Sequence, residues 1–462
     1  MTETFSRYRA YTIIVLLALA STLYNAFLPL HGDEAYYWVW SHHLQGGYYD
    51  HAPVIAFIIA ATNLISQSEW GVRLGAVLSL SISAFMLFQL AMRMSNAAVA
   101  LRSIIIFSSV ILTHAGSTII TPDAPLILFW TLSLYYGYIA LIEKRTYAFW
   151  LLGLFLGLMM LSKYSAILFA AFLLLFTLIK SRDLLKQPKT YLVVLISFMV
   201  ITPMLWWNYQ HEWISFLFQI EHGERADSLN FGRMFEYILG QFGIFSPVFA
   251  GLLFYYLAKN RAYIADSKRF YLALSILTPL LFFIYKSLES RMELNYTAPA
   301  YVGGSILLAL IFEERRLKSL FKIGLALALG LTLIVRILFI THLEILQDRM
   351  YGNKEAIALL EPYRKTNDSI YGDHLSTTAL LQYYLPDHPA SDVLTQSRYS
   401  QYDLWRSNGT FKEGLFLGRK DYSAELSSMF ETVQLLQTLE MPYGFDKIKT
   451  FYIYRVANAK HH

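Results

Sequence analysis

The chain has 462 residues, of which 56% are hydrophobic and only 15% charged, and its formal net charge is +5. A soluble domain of this length needs far more charge to cover its surface, so the composition excludes that class and predicts a polytopic membrane protein. The sequence has no cysteine, which excludes disulfide bonds and thiolate metal sites.

About eleven apolar segments predict membrane spans, each of roughly 20 residues. They lie near 11–30, 72–92, 103–119, 125–142, 147–161, 165–179, 190–207, 235–257, 270–285, 296–312 and 320–341. The first segment begins like a signal peptide, because Arg7 and Arg9 precede an apolar run that contains "ALA". Since that run continues to Leu30, we expect a retained helix whose N-terminus is cytoplasmic.

The connections between these segments differ strongly in charge. Alternate loops are rich in Lys and Arg, whereas the opposite face has few such residues: Lys163, Arg225, Arg233, Lys286 and Arg291. By the positive-inside rule, the basic loops are cytoplasmic and the other face is outside. An odd number of spans then puts the C-terminus outside.

The predicted fold is an all-α polytopic membrane domain over residues 1–341, followed by a small soluble α/β domain over residues 342–462. In the second part, "EGLFLGR", "TVQLLQTLEM" and "KTFYIYRV" predict strands, and "SAELSSMFE" predicts a helix. The topology puts this domain on the outer face.

The first outer loop, residues 31–71, opens with "HGDEAYYWVWSHHLQGGYYDHAP". Its Trp and Tyr residues are typical of a helix that lies in the membrane interface. We therefore expect interfacial helices here, with Asp33 and Glu34 at the membrane surface and Asp50 at the far end of the loop.

Each acidic residue on the outer face has a structural alternative. Asp33, Asp50 and Asp123, the last of these in "TPDAP", could each cap a helix. Helix caps do not require three Asp and a Glu on one face, in loops without Lys or Arg. A site for acid–base chemistry or cation binding does require such a pattern.

The few outer cations also have structural alternatives. Lys163 could snorkel at a helix end, Arg291 could pair with Glu289 or Glu293, and Arg225 could sit in a solvated loop. Taken together, a handful of cations on an otherwise acidic face predicts an anionic ligand, with a lipid phosphate as the obvious choice.

Other motifs are weak or missing. His42, His43, His51 and His222 could bind metal, but no H-x-x-x-H or H-E-x-x-H spacing occurs. There is no Walker A motif, no G-x-G-x-x-G and no G-x-S-x-G. Nucleotide-driven transport and serine hydrolysis therefore have no support.

The order of several motifs resembles the GT-C membrane glycosyltransferases, in particular the bacterial branch of protein O-mannosyltransferase-like and ArnT-like (lipid A aminoarabinose transferase) enzymes. The motifs are "DEAYYWVW", "GGYYDHAPVIAFI", "TPDAPLILFW", "LSKYSAILF", "MELNYTAPAY" and, in the soluble tail, "RYSQYDLW". The resemblance covers about residues 10–340 and implies a GT-C fold.

The resemblance also implies roles for individual residues. It makes Asp33, Glu34 and Asp123 catalytic candidates, and it gives binding of the donor phosphate to Lys163, Arg291, His51 and Arg225, although relatives carry Lys where His51 stands. Binding of the sugar or acceptor falls to Asp50, Tyr36, Tyr37, Glu293 and Asn295. Some relatives hold a divalent metal ion near the first-loop acid, for which Asp50 and His222 are the candidates here.

The predicted function is transfer of a sugar from a polyprenyl-phosphate donor to lipid A or another envelope glycolipid, on the periplasmic side of the bacterial inner membrane. A single base acting in one displacement implies inversion at the anomeric carbon. The expected partners are the donor, the acceptor and membrane lipid, with no nucleic acid. Protein O-glycosylation, transport or flipping of a lipid or sugar, and an outer scaffold domain remain as alternatives.

Overall fold

The computed structural model describes residues 3–224, 229–340, 349–395, 398–406, 411–443 and 447–460. The helices of the first two ranges are α1 (Glu3–Asn25), α2 (Gly32–Ser41), α3 (Val54–Asn63), α4 (Glu69–Met94), α5 (Ala97–Ser109), α6 (Ile111–Thr118), α7 (Asp123–Leu141), α8 (Thr146–Met160), α9 (Ile167–Lys180), α10 (Pro188–Gln210), α11 (Ile214–Glu224), α12 (Phe231–Ile244), α13 (Pro247–Lys259), α14 (Ser267–Glu289), α15 (Ala300–Glu314) and α16 (Lys318–Ile340). Short 3-10 turns occur at Tyr164–Ala166, Arg182–Lys186, Arg261–Ile264, Leu294–Thr297 and Glu361–Tyr363.

Several of these helices have the length and composition of membrane spans. Within the described ranges, five are long and apolar enough to cross a membrane, namely α4, α7, α10, α14 and α16, and two bent pairs bring the number to seven. Three shorter apolar segments accompany them. The multi-pass character of the protein is therefore confirmed, whereas the number of eleven spans is not.

Two of the predicted spans are broken. The segment predicted at 103–119 is the pair α5 and α6, which bends by 61°, and the segment at 235–257 is the pair α12 and α13, which turns through 119°. At the second break Ser246 has a φ of 73° and Pro247 opens the next helix. Proline suits the first turn of a helix because it has no N–H to donate, so the chain restarts there in a new direction.

The core of the helical part is densely aromatic. Trp130 of α7 packs edge-on against Phe169 of α9 at 4.8 Å, and Phe172 packs against Tyr271 of α14 at 5.0 Å between ring centroids. The Tyr271 hydroxyl donates to the Leu134 carbonyl at 2.9 Å. A Cβ atom at Gly137 would lie 2.4 Å from that hydroxyl, so glycine is needed where α14 crosses α7.

The C-terminal part contains a five-stranded mixed sheet in the order β2-β1-β3-β5-β4. Strand β1 is parallel to β2 and β3, while β5 is antiparallel to both β3 and β4. The strands are β1 (Ser369–Gly372), β2 (Ser391–Val393), β3 (Gly414–Gly418), β4 (Phe430–Tyr443) and β5 (Lys447–Ala459), and the helices are α17 (Asn353–Ala358), α18 (Leu375–Tyr384), α19 (Gln401–Trp405) and α20 (Ser423–Met429). The three strands and the helix predicted here are confirmed.

Helix α2 lies under the sheet domain and packs against α3 and α18. Nine of its ten residues are buried, and α2 shares one apolar core with α3, α18 and the sheet. Trp38 packs edge-on against Tyr383 of α18 at 5.0 Å, and Tyr36 stacks on Tyr402 of α19 at 5.7 Å. The aromatic rings of α2 therefore contact protein, and the position of this helix at the membrane interface stays a prediction.

Candidate active site

Helix α2 begins at a capping box that His31 provides. The His31 ring nitrogen Nδ1 accepts the Asp33 N–H at 3.2 Å, and the Glu34 carboxylate accepts the His31 N–H at 2.9 Å. Asp33 is therefore inside the first helical turn and is not the N-cap. The helix-capping role that the sequence allowed for Asp33 is therefore filled by His31.

Both carboxylate oxygens of Glu34 are used in contacts that stabilise the fold. Its carboxylate, which is fully buried, forms a bidentate pair with the equally buried Arg73, with Nε–Oε1 at 2.9 Å and Nη2–Oε2 at 2.6 Å. Oε1 also accepts the Ile120 N–H at 2.9 Å. Arg73 in turn donates to the carbonyls of Asn25, Leu28 and Pro29. Both oxygens hold the first loop against α4, so these contacts give Glu34 a structural role, and its catalytic role stays a prediction.

Asp33 is the residue directly before Glu34, but its carboxylate is not engaged in the same way. Its side chain is 44% exposed, and its closest charged neighbour is His31 Nδ1 at 3.7 Å. Because that nitrogen already accepts the Asp33 N–H, a neutral imidazole offers the carboxylate no hydrogen bond there. Asp33 therefore keeps its carboxylate oxygens available to a ligand.

Asp50 is the buried centre of a set that we call the Asp50 cluster, consisting of Asp50, Tyr36, Arg398 and Gln401, in which the Arg398 side chain is 49% exposed. The Tyr36 hydroxyl donates to Oδ2 of Asp50 at 2.8 Å, and the Arg398 guanidinium pairs with Oδ1. The Gln401 N–H donates to the same Tyr36 hydroxyl at 2.7 Å. Burial raises the pKa of Asp50 to about 6 although Arg398 and Tyr36 oppose the rise.

These contacts do not favour a metal ion at Asp50. Both oxygens are engaged, and the guanidinium that neutralises one of them would repel a divalent cation. Among the residues that the structure describes, no three His, Asp or Glu side chains come together in a way that could hold a metal ion. The side chain of His222, the other predicted ligand, lies outside that description, so the pair stays a prediction.

A second set, the Lys163 cluster, consists of Lys163, Asp123, Asn295 and Tyr296. Lys163 Nζ donates to Oδ1 of Asp123 at 2.7 Å, and Asn295 Nδ2 donates to Oδ2 at 2.8 Å. The same ammonium lies 4.5 Å from the centre of the Tyr296 ring. The sequence motifs "TPDAP", "LSKYS" and "MELNYTAPAY" thus meet at one end of the helices.

Tyr37 lies where the acidic residues converge. Burial raises the pKa of the Tyr37 hydroxyl well above its ordinary value, and the nearby negative charges of Asp33, Asp50 and Asp123 add to this effect. Asp33 and Asp50 both belong to the loop over residues 31–71, whereas Asp123 begins α7. All three predicted acidic residues are close enough to Tyr37 to act on its hydroxyl.

The remaining predicted residues lie nearer the edge. The His51 ring is 6.0 Å from the Tyr37 ring, whereas Arg291 and Glu293 are exposed. Glu289, one of the predicted partners of Arg291, pairs instead with Lys286 at 2.5 Å. Arg225 lies outside the described residues.

Two cations of this face escaped the sequence analysis. Arg73 stands at the start of an apolar segment that predicts a span, so nothing nearby indicates its buried partner. Arg398 opens the motif "RYSQYDLW", which also contains Gln401, and that motif carried the resemblance of the tail without indicating a contact with Asp50. The likeness of this motif to the soluble tails of bacterial relatives was the sequence signal available for Arg398.

The chain is similar to several known glycosyltransferases. Residues 50–207 match the family described as dolichyl-phosphate-mannose-protein mannosyltransferase. The lipid A galacturonosyltransferase RgtD of Rhizobium johnstonii is 27% identical in an alignment 460 residues long, and the alignment covers 92% of each chain. ArnT from Cupriavidus metallidurans has a similar fold in its apo state, with a TM-score of 0.72 at 14% identity, covering 96% of this chain and 97% of that chain.

The chain is a glycosyltransferase with the GT-C fold. The predicted resemblance to ArnT-like enzymes is confirmed. A second ArnT structure, with undecaprenyl phosphate bound, has a TM-score of 0.68 at 15% identity with the same coverage. At this identity the likeness establishes the fold, while the substrates have to be argued from the site.

Proposed function

We propose that this glycosyltransferase moves a sugar from a polyprenyl-phosphate donor to lipid A or another envelope glycolipid on the outer side of the bacterial inner membrane. The observation that carries the proposal is the Lys163 cluster, in which Lys163 is bonded to Asp123, together with the exposed carboxylate of Asp33. A positioned cation and an accessible carboxylate are the groups that suit the transfer of a sugar away from a phosphate.

The donor side of the reaction needs a cation rather than an acid. When the glycosidic bond breaks, the polyprenyl phosphate takes the bonding electrons and gains charge, which a positioned cation stabilises. Lys163 has three N–H donors and spends one on Asp123, so the others can face the phosphate. Asp123 and Tyr296 hold the ammonium in place, and Arg291 and His51 remain further candidates for this binding.

The acceptor side of the reaction needs a base or an orienting group. If the acceptor is a hydroxyl, Asp33 takes its proton while the oxygen attacks the anomeric carbon from the face opposite the phosphate. If the acceptor is a phosphate, it is already an anion, and Asp33 would orient it. Either way one displacement inverts the anomeric carbon, unlike the two-step reaction of a retaining enzyme.

The length of the matches favours a glycolipid acceptor over a protein. The family named for protein mannosyl transfer matches only residues 50–207, whereas RgtD, which is named for lipid A, aligns with 92% of this chain, including the soluble tail. ArnT was crystallised with undecaprenyl phosphate, a lipid of the donor class proposed here. We therefore place lipid A first and protein O-glycosylation second.

The decisive experiment compares the lipid A and the envelope glycoproteins of cells with and without the gene by mass spectrometry. We expect lipid A to lose the mass of one sugar in the deletion strain and to regain it on complementation. A complemented strain with unchanged lipid A and a missing protein glycan would contradict the glycolipid proposal and favour the protein acceptor.

The proposed orientation has its own test. Alkaline phosphatase fused after Lys460 should be active, because the basic loops are expected inside. A silent fusion, together with an active cytoplasmic reporter at the same position, would place the sheet domain and Asp33 on the wrong side for this reaction.

A further inference from the structure

The largest unexplained polar cavity lies between α2 and the sheet domain. It has a volume of about 790 Å³, within the range of roughly 300–1,000 Å³ that small-molecule sites occupy. Asp33 lines it from the side of α2, and Asp373, His374 and Arg419 line it from the sheet domain. We call this cavity the strand-end cleft.

The topology of the sheet explains why ligand-binding groups gather there. Strands β1, β2 and β3 are parallel, and the cleft residues Asp373, Thr395 and Arg419 follow their respective carboxyl ends. In open parallel sheets, ligands bind in the crevice at the carboxyl ends of the strands. Helix α18 also begins at this edge, where its positive dipole end lies and His374 Nδ1 caps the Ser376 N–H.

A buried carboxylate in the cleft has one oxygen without a hydrogen-bond donor. Asp373 is 5% exposed, and its Oδ2 accepts the Arg419 N–H at 2.8 Å. The Tyr422 hydroxyl lies near this carboxylate, but no described residue reaches Oδ1 of Asp373 or Nε of Arg419 with hydrogen-bonding geometry. Unpaired buried polar atoms are unfavourable, so these two atoms point to a ligand that both donates and accepts.

The charge of the lining indicates the class of ligand. Four cationic side chains face two carboxylates around the cleft, the cations being Arg349, Arg398, Arg419 and Lys420. Guanidinium groups bind phosphate oxygens in a forked geometry, whereas carboxylates accept hydrogen bonds from sugar hydroxyls. A phosphate-bearing sugar matches both halves of this lining.

We propose that the strand-end cleft binds the phosphorylated sugar head group of the acceptor, with Arg419 on the phosphate and Asp373 on a hydroxyl. This inference rests on the proposed function and deepens it, because it makes the acceptor a phosphoglycolipid. Asp33 lines the same cavity, so a head group seated there reaches the candidate base directly. A sugar phosphate could also come from the donor, so the test must separate the two sources.

The test uses full-length protein in detergent micelles and two probes, bis-phosphorylated lipid A and undecaprenyl phosphate. We expect Arg419→Gln to weaken the binding of phosphorylated lipid A at least tenfold and to leave undecaprenyl phosphate binding unchanged. Fully dephosphorylated lipid A should bind wild type and variant alike. Lys365→Gln is the matched control, because Lys365 is an exposed lysine of the same domain outside the cleft.

Three results would overturn the inference. Arg419→Gln could weaken undecaprenyl phosphate instead, which would make the cleft a donor site. It could weaken phosphorylated and dephosphorylated lipid A equally, or it could change neither. If Arg419→Gln does not fold, as judged by its thermal midpoint, Lys420→Gln decides by the same criteria, because the Lys420 side chain is 64% exposed.

The proposed cleft and the proposed reaction can each be refuted without the other. Protein that binds phosphorylated lipid A through Arg419 but never transfers a sugar to it would retain the cleft and refute the proposed reaction. Transfer that proceeds with an Arg419→Gln variant at an unchanged KM for lipid A would keep the reaction and refute the cleft.

Discussion

The Lys163 cluster and the Asp50 cluster contain the same elements, a carboxylate paired with a cation, and yet they differ in where the partners come from. In the Asp50 cluster, the carboxylate is held at both oxygens by Tyr36 and Arg398 across the seam between the first loop and the sheet domain. In the Lys163 cluster, Lys163 and Asn295 hold both oxygens of Asp123 as well, but all of these residues belong to the helical part of the chain. The origin of the partners, more than charge, distinguishes a pair that docks two parts of the chain from one whose cation is available for chemistry.

Asp33 and Glu34 differ within one helical turn. Glu34 is saturated by Arg73 and backbone N–H groups, while Asp33 faces the strand-end cleft with its oxygens available. The comparison therefore predicts that substitutions at saturated groups lower stability, whereas substitutions at groups with spare capacity lower activity.

The largest effect is expected for Asp33→Asn. If a hydroxyl is the acceptor, loss of the base should reduce the turnover of purified enzyme by about two to four decades, since an amide cannot take a proton at neutral pH. The thermal midpoint should stay near that of the wild type, because Asp33 neither caps α2 nor lies buried. Near-normal transfer by a folded variant would refute Asp33 as the base and leave it at most an orienting role.

Glu34→Gln should produce the opposite result. It removes one partner of a fully buried ion pair and leaves the charge of Arg73 uncompensated, which typically costs about 3–5 kcal/mol of stability. We expect a lower denaturation midpoint in detergent, and in the fraction that remains folded we expect near-normal turnover per molecule. A stable variant with abolished turnover would instead restore Glu34 as a catalytic residue.

The fold and the site were predictable where the signals were local. The "TPDAP" and "LSKYS" motifs placed Asp123 and Lys163 correctly on one face because helix ends and loop charges are read from neighbouring residues. Arg73 and Arg398 were missed because each finds its carboxylate through tertiary contacts, 39 and 348 residues away along the chain.

The contacts of α2 and the broken spans were missed for a related reason. An aromatic helix looks the same in sequence whether or not another domain covers it, and the packing of Trp38 against Tyr383 is a tertiary contact. Similarly, the apolar content of 235–257 does not reveal that the chain turns at Ser246.

Lys163→Ala tests whether Lys163 stabilises the donor phosphate. Removing one positioned cation from a developing negative charge typically costs two to three decades in rate, or about 3–4 kcal/mol. Asn295 would still hold Asp123, so the protein should remain folded. We expect kcat to fall and Lys163→Arg to recover part of it in a transfer assay with undecaprenyl-phosphate-linked sugar; full activity of the alanine variant would make Lys163 a snorkelling residue.

The smallest effect is a dependence of stability on pH that belongs to the Asp50 cluster. Burial raises the pKa of Asp50 from 3.8 to about 6, so the folded protein holds this proton more tightly than the unfolded chain does. The resulting stabilisation is full below pH 4 and is lost as the pH rises through about 6, and it amounts to roughly 3 kcal/mol at most. The difference in unfolding free energy between wild type and Asp50→Asn should therefore change between pH 4 and 6 and stay constant above pH 7.

Asp387→Asn provides the control for this measurement. Asp387 is an exposed carboxylate whose pKa is lowered by its hydrogen bond to Arg364, so its contribution to stability is present above about pH 4 and is lost as the pH falls further, with little slope between pH 4 and 6. Denaturant unfolding of both variants in detergent, followed at several pH values, checks the sign. An Asp50→Asn profile parallel to that of the wild type would show that Asp50 titrates alike in both states. The hydrogen bonds from Tyr36 and Arg398 would then fully offset the burial of Asp50, and the predicted dependence of stability on pH would be wrong.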